Sequence, residues 1–163
     1  GESAPGGADT MADSAAGPGS GAGTVGAGYD PAAATEAYKS AFALLKAGNY
    51  DEAIAAFNDY LVEYPGSEYA DNAQYWLGEA YYVNREFEAA IGEYRRLIQA
   101  YPQSPKRPHA LLKIGYSEAE LGRLDAAREV LQRVRTDWPN STAAKLAAER
   151  LRRLAADSTG TAP

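Results

Sequence analysis

The chain has 163 residues, no cysteine and a formal charge of −6, with a sequence pI near 4.8. This length favours one domain with extensions, the missing cysteine removes disulfide and thiol chemistry, and the acidic balance argues against broad nucleic-acid binding, which needs a basic surface. No apolar run approaches the roughly 20 residues that span a bilayer and no signal peptide opens the sequence; this speaks against direct membrane insertion but not against export, since a mature exported chain reads the same way.

Residues 1–33 form the first segment. The opening thirty residues hold nine of the sixteen glycines, no lysine or arginine, and almost nothing large and apolar. Such a segment cannot offset its ordering entropy, so it reads as a disordered Gly/Ala-rich linker with a relaxed reach of roughly 30 Å. A linker of this length implies further protein upstream. Residues 157–163 read as a frayed tail.

The segment 34–156 is different in kind and reads as pairs of helices. In the first pair, about 34–66, Gly48 suits a left-handed helix end, and Asn49 with Glu52 resembles a capping box. The second pair, 67–103, opens on Ser67 as an N-cap with Glu68 and Asp71 in the first turn. Ala70, Ala73, Leu77 and Tyr81 then mark one face, with Tyr81 in the core. Its second helix shows Phe87, Ala90, Ile91, Tyr94, Leu97 and Ile98 and stops at Pro102. The third pair, 104–140, opens on Ser104 and Pro105, but Pro108 falls where an amide is wanted, so its first helix starts late or bends. The segment 141–156 is an amphipathic cap. Ala144, Leu146, Ala147, Leu151 and Leu154 make its buried face, and Lys145, Arg150, Arg152 and Arg153 solvate the rest.

These pairs are copies. "EYPGS", "AYPQS" and "DWPNS" begin at Glu63, Ala100 and Asp137, a constant step of 37 residues. The same offset aligns Gly48, Arg85 and Gly122, then Ala53, Ala90 and Ala127, then Phe57, Tyr94 and Leu131, then Tyr64, Tyr101 and Trp138. Self-similarity of this extent predicts an all-α helical-hairpin solenoid: three repeats of 37 residues plus a C-terminal capping helix. In each junction the aromatic closes a helix against the next hairpin, proline ends that helix and serine caps the following one. Small residues at 53, 90 and 127 let helices approach beside the large ones at 57, 94 and 131.

"LGEAY" at 77–81, with Ala90, Tyr94 and Pro102, resembles the tetratricopeptide (TPR) signature. The long repeat, the "YPxS" junctions and three copies behind a flexible linker resemble the C-terminal domain of the Tol–Pal cell-division coordinator family (CpoB). This resemblance implies a periplasmic protein of a Gram-negative bacterium whose TPR domain binds TolA, and which helps coordinate peptidoglycan synthesis with outer-membrane constriction. A peptidoglycan synthase is a further implied partner. The family trimerises through an N-terminal coiled coil, for which no heptads occur here, so the present chain is expected to be monomeric.

In a TPR stack the first helices of the hairpins line the concave face. The outward positions carry Tyr38, Lys39 and Phe42, then Asn72, Tyr75, Trp76, Glu79 and Tyr82, then His109, Lys113 and Tyr116. Aromatic side chains are favoured interface anchors. The expected groove is centred on Tyr75, Trp76, Tyr82 and Tyr116; the alternative for each residue is packing between hairpins. Residues 34–94 hold eleven acids and three bases, a net of −8, whereas 95–156 hold six acids and thirteen bases, a net of +7. That polarity would orient a partner or promote head-to-tail self-association.

Nothing assembles for catalysis. His109 is the single histidine and has no second imidazole or thiol to complete a nucleophilic set. Acids such as Asp51 and Glu52 sit where helix N-termini want negative charge, so no metal or other cofactor is expected. "NST" at 140–142 is better explained as a helix cap than as a glycosylation site. Two other non-enzymatic readings remain. An outer-membrane assembly lipoprotein of the BamD type would carry a lipidated N-terminal cysteine and more repeats. A generic peptide-binding TPR adaptor would present a basic clamp, for which Lys39 and Lys113 alone are a poor match.

Overall fold

The computed structural model describes residues 28–160 and folds them into seven α-helices. They are α1 (Pro31–Lys46), α2 (Tyr50–Glu63), α3 (Ala70–Val83), α4 (Phe87–Ala100), α5 (Arg107–Glu120), α6 (Leu124–Asp137) and α7 (Thr142–Thr159). Each helix packs on its chain neighbour, giving hairpins α1–α2, α3–α4 and α5–α6 with α7 closing the series; α1 also touches α3, and α5 touches α7. The all-helical hairpin architecture expected from the repeats is what the chain adopts.

The linker expected over 1–33 lies outside the described residues as far as residue 27. Beyond it, Pro31, Ala32 and Ala33 are already helical, because Asp30 caps α1 by accepting from the Ala32 amide at 3.0 Å and Pro31 suits the first helical position. At the other end α7 runs on to Thr159, past the expected boundary at Ala156.

The turns inside the hairpins share one device. Gly48, Arg85 and Gly122 have φ of 83°, 63° and 78°, and the next amide in each case reaches back across the turn, for example from Asn49 to the Leu44 carbonyl at 3.0 Å. This pattern terminates a helix with a left-handed residue. Arg85 does without the glycine that the other two turns use. The capping box expected from Asn49 and Glu52 does not form, since Asn49 makes no side-chain cap.

Between hairpins, the aromatic–proline–serine junction is a turn closed by backbone. The serine amide donates to the aromatic's carbonyl at 3.1 Å for Ser67 to Tyr64, 3.0 Å for Ser104 to Tyr101 and 3.1 Å for Ser141 to Trp138. Proline therefore stands at the second turn position, which its fixed φ favours. The serine side chains have three different roles. Ser141 caps α7, accepting from the Ala144 amide at 3.0 Å. Ser67 does not cap α3, which begins at Ala70; it shares a 2.7 Å hydrogen bond with the Tyr60 hydroxyl. Ser104 donates to Asp71 at 2.7 Å, and α5 starts late, at Arg107, with Pro108 in its first turn.

The core runs the length of the stack. Ala53, Ala90 and Ala127 are buried beside the equally buried Phe57, Tyr94 and Leu131. The glycine of the signature follows from the same packing: a Cβ at Gly78 would lie 2.6 Å from the Tyr94 ring, and one at Gly115 would lie 2.7 Å from Leu131. Tyr81, expected in the core, is half-buried and packs against it.

A second register links neighbouring hairpins. Trp76 packs edge-on against Phe42 with centroids 5.0 Å apart, Lys113 pairs with Glu79 at 3.2 Å, and Arg150 lies 4.0 Å over the Tyr116 ring. Each of these side chains meets a residue 34 places earlier, on the first helix of the preceding hairpin.

Candidate partner-binding surface

The expected groove residues divide by exposure. Tyr38, Phe42, Asn72, Tyr75, Trp76, Glu79 and Lys113 are buried, whereas Tyr82, His109 and Tyr116 are half-buried and Lys39 is exposed. Trp76, placed at the centre of the groove by sequence, has 0% exposure and donates from Nε1 to the Tyr38 hydroxyl at 3.1 Å. Tyr75 is sealed beside it, and Lys106 lies 5.2 Å over the Tyr75 ring and 5.5 Å over that of Trp76. Two of the four rings at the centre of the expected groove, Tyr75 and Trp76, are therefore core. The physical reason is curvature: adjacent first helices come close enough for their facing side chains to interleave, and every residue of α3 from Ala70 to Ala80 is buried.

Charge is buried there as well. Glu79 accepts from the Tyr94 hydroxyl at 2.5 Å and faces Lys113 Nζ at 3.2 Å, and both charged side chains lie in the interior. Lys113 Nζ also sits 4.3 Å from the Tyr82 ring centroid. Lys113 thus balances a buried carboxylate between the second and third hairpins, and it is no clamp for a ligand.

Besides exposed Lys39 and half-buried His109, what stays accessible is the C-terminal part of this face, at Tyr82, Tyr116 and Arg150. Burial pushes the Tyr82 phenol up to about 12 and raises that of Tyr116, while the nearby Arg150 charge opposes both shifts. Glu120 and Glu149 border the two rings. Sequence reasoning placed Arg150 on the solvated side of the cap; it is instead half-buried and stacked on Tyr116. Its register was a usable signal, because Lys39, Trp76, Lys113 and Arg150 follow one another at the repeat step of 37. Two half-buried rings, one of them under a guanidinium, offer apolar area, a ring face and planar hydrogen-bond donors, the chemistry of protein recognition. Among the described residues no three His, Cys, Asp or Glu side chains gather as a metal site, and no helix is long and apolar enough to cross a membrane.

The family model described as YfiO, outer membrane lipoprotein, matches residues 30–156. The chain belongs to this family. Among curated relatives, the cell division coordinator CpoB of Pseudomonas putida is 54% identical over 50 residues, which is 31% of this chain and 19% of that protein. The outer membrane protein assembly factor BamD of Caulobacter vibrioides is 31% identical over 109 residues, covering 60% of this chain and 34% of that protein. The chain thus spans about a fifth to a third of the length of these two curated relatives. In structure it is similar to the first TPR of Spaghetti (RPAP3) bound to an HSP90 peptide, with a TM-score of 0.64 and 21% identity over 80% of this chain and 99% of that one. The second TPR domain of human RPAP3 gives 0.62 at 17% identity, covering 77% of this chain and 98% of that domain. At these identities the likeness establishes the TPR fold alone. The chain is therefore a TPR-fold member of an outer membrane lipoprotein family.

Proposed function

We propose that the chain is the interaction module of a periplasmic division coordinator. It binds TolA through the surface around Tyr82, Tyr116 and Arg150, and thereby helps couple peptidoglycan synthesis to outer-membrane constriction. The observation that carries the reading is the half-buried Tyr116 ring under Arg150, with half-buried Tyr82 on the same face, where Tyr75 and Trp76 are sealed. The 54% identity to a cell division coordinator over 50 residues supports the choice of pathway. Titration with the periplasmic part of TolA, followed by calorimetry, gives saturable binding on this reading. Tyr116→Ala then weakens it at least tenfold, about 1.4 kcal/mol, with little change in melting temperature. A flat titration overturns the assignment.

A second reading has its own support. The match to BamD covers 60% of the chain, and the arguments against a lipoprotein, an absent cysteine and too few repeats, depend only on where the sequence starts and stops. On this reading the module serves outer-membrane protein assembly. Loss of the protein would then deplete outer-membrane proteins and leave cell constriction normal, the reverse of the division phenotype.

A further inference from the structure

Two helix faces at opposite ends of the series carry charges that the fold leaves uncompensated. On α2 the exposed stripe runs through Glu52, Ala55, Asp59 and Val62, with Val62 84% exposed. On α7 it runs through Lys145, Glu149, Arg152 and Ala156. The side chains of Glu52, Asp59, Lys145 and Arg152 form no ion pair or hydrogen bond with a described residue, whereas Glu149 is neutralised by Arg153 at 3.0 Å. Most other cations of the C-terminal half already face a carboxylate or a ring, as Arg95 does with Glu118 and Arg128 with Asp125. Lys145 and Arg152 thus stand out among the cations, and Glu52 and Asp59 are two of several acids of the N-terminal half that face no cation.

Their spacing matches. Glu52 and Asp59 are seven residues apart, as are Lys145 and Arg152, so each pair rises about 10.5 Å along its helix and stands on one side of it. Within the chain α2 and α7 do not pack on each other. We infer that the acidic face of α2 docks on the basic face of α7 of a second copy, head to tail. A contact between two different patches is heterologous, so it leaves one free face at each end and builds rings or open filaments in place of a closed dimer. Exposed ion pairs contribute little singly and are screened by salt, so the assembly is weak and depends on ionic strength.

Sedimentation velocity on the whole chain tests this. At about 10 mM salt, where the Debye length is about 30 Å, the sedimentation coefficient climbs with concentration without stopping at a dimer; at about 0.5 M salt the association constant falls at least tenfold. The variant Glu52→Lys with Asp59→Lys, and separately Lys145→Glu with Arg152→Glu, each remains a single species at low salt with an unchanged helical circular dichroism spectrum. An equimolar mixture of the two associates again, because each now offers the face the other needs. Three results overturn the inference: a parent chain that stays monomeric at low salt, association that either reversal leaves intact, or folded variants whose mixture fails to reassociate.

Discussion

Gly78 shows how one missing methyl group sets the distance between two helices. The site beside it is filled by the Tyr94 ring, so Gly78→Ala forces either the ring or the α3–α4 spacing to give. Overpacking of this kind costs about 1–3 kcal/mol, read as a fall in the denaturation midpoint with unchanged slope. Gly92 is the control. It stands in the middle of α4, exposed, with nothing within 4 Å of the place a methyl group would occupy, so Gly92→Ala gains up to about 1 kcal/mol from helix propensity alone. The same substitution thus has opposite signs at two sites. In sequence Gly78 could be recognised from its place in "LGEAY", whereas the serines of the junctions could not be told apart. Each follows an aromatic and a proline, yet only Ser141 reaches a free helix amide, because α3 and α5 begin three residues beyond their serines.

At the scale of elements, the Glu79–Lys113 pair ties α3 to α5 across two hairpins. Removing one partner strands a buried charge, so Lys113→Ala costs about 3–5 kcal/mol, measured by chemical denaturation. Glu79→Gln combined with Lys113→Met removes both charges while keeping an acceptor for the Tyr94 hydroxyl, and it loses far less than the sum of the single changes. A double that loses the full sum would mean that the two side chains act independently. Helices, turns and the small–large pairs were legible before the fold was known because each is a local pattern repeated at a fixed step. Burial of Trp76, Tyr75 and Lys113 was not. It depends on how sharply successive hairpins turn toward one another, and a repeat length does not encode that angle. A lone lysine between apolar neighbours, such as Lys113, reads as exposed until its carboxylate is found 34 residues earlier.

For the molecule as a whole, the buried phenols set an alkaline limit. Tyr38, Tyr60 and Tyr82 are each pushed up to about 12, chiefly by burial, and Tyr75 and Tyr94 go well above the ordinary 10.0 for the same reason. Raised phenols hold their protons in the folded state after the unfolded chain has begun to release them. Their contribution is fully present below the unfolded value of 10.0 and is lost as pH climbs through about 12. Unfolding followed by circular dichroism should thus show a plateau in midpoint at lower pH and a steep decline above it. Tyrosinate absorbance should lag behind that of the unfolded chain, with the share of the buried rings appearing only as helix signal disappears.

Trp76, Lys113 and Arg150 each finish a surface laid down by the hairpin before. On the ribosome this fixes a direction: the opening hairpin waits with Phe42 bare until its successor emerges, and closure always trails synthesis by one unit. The last of these helices to leave the exit tunnel, α7, brings the guanidinium that packs over Tyr116. A nascent chain stopped short of that helix carries an open seam for quality-control proteases to find.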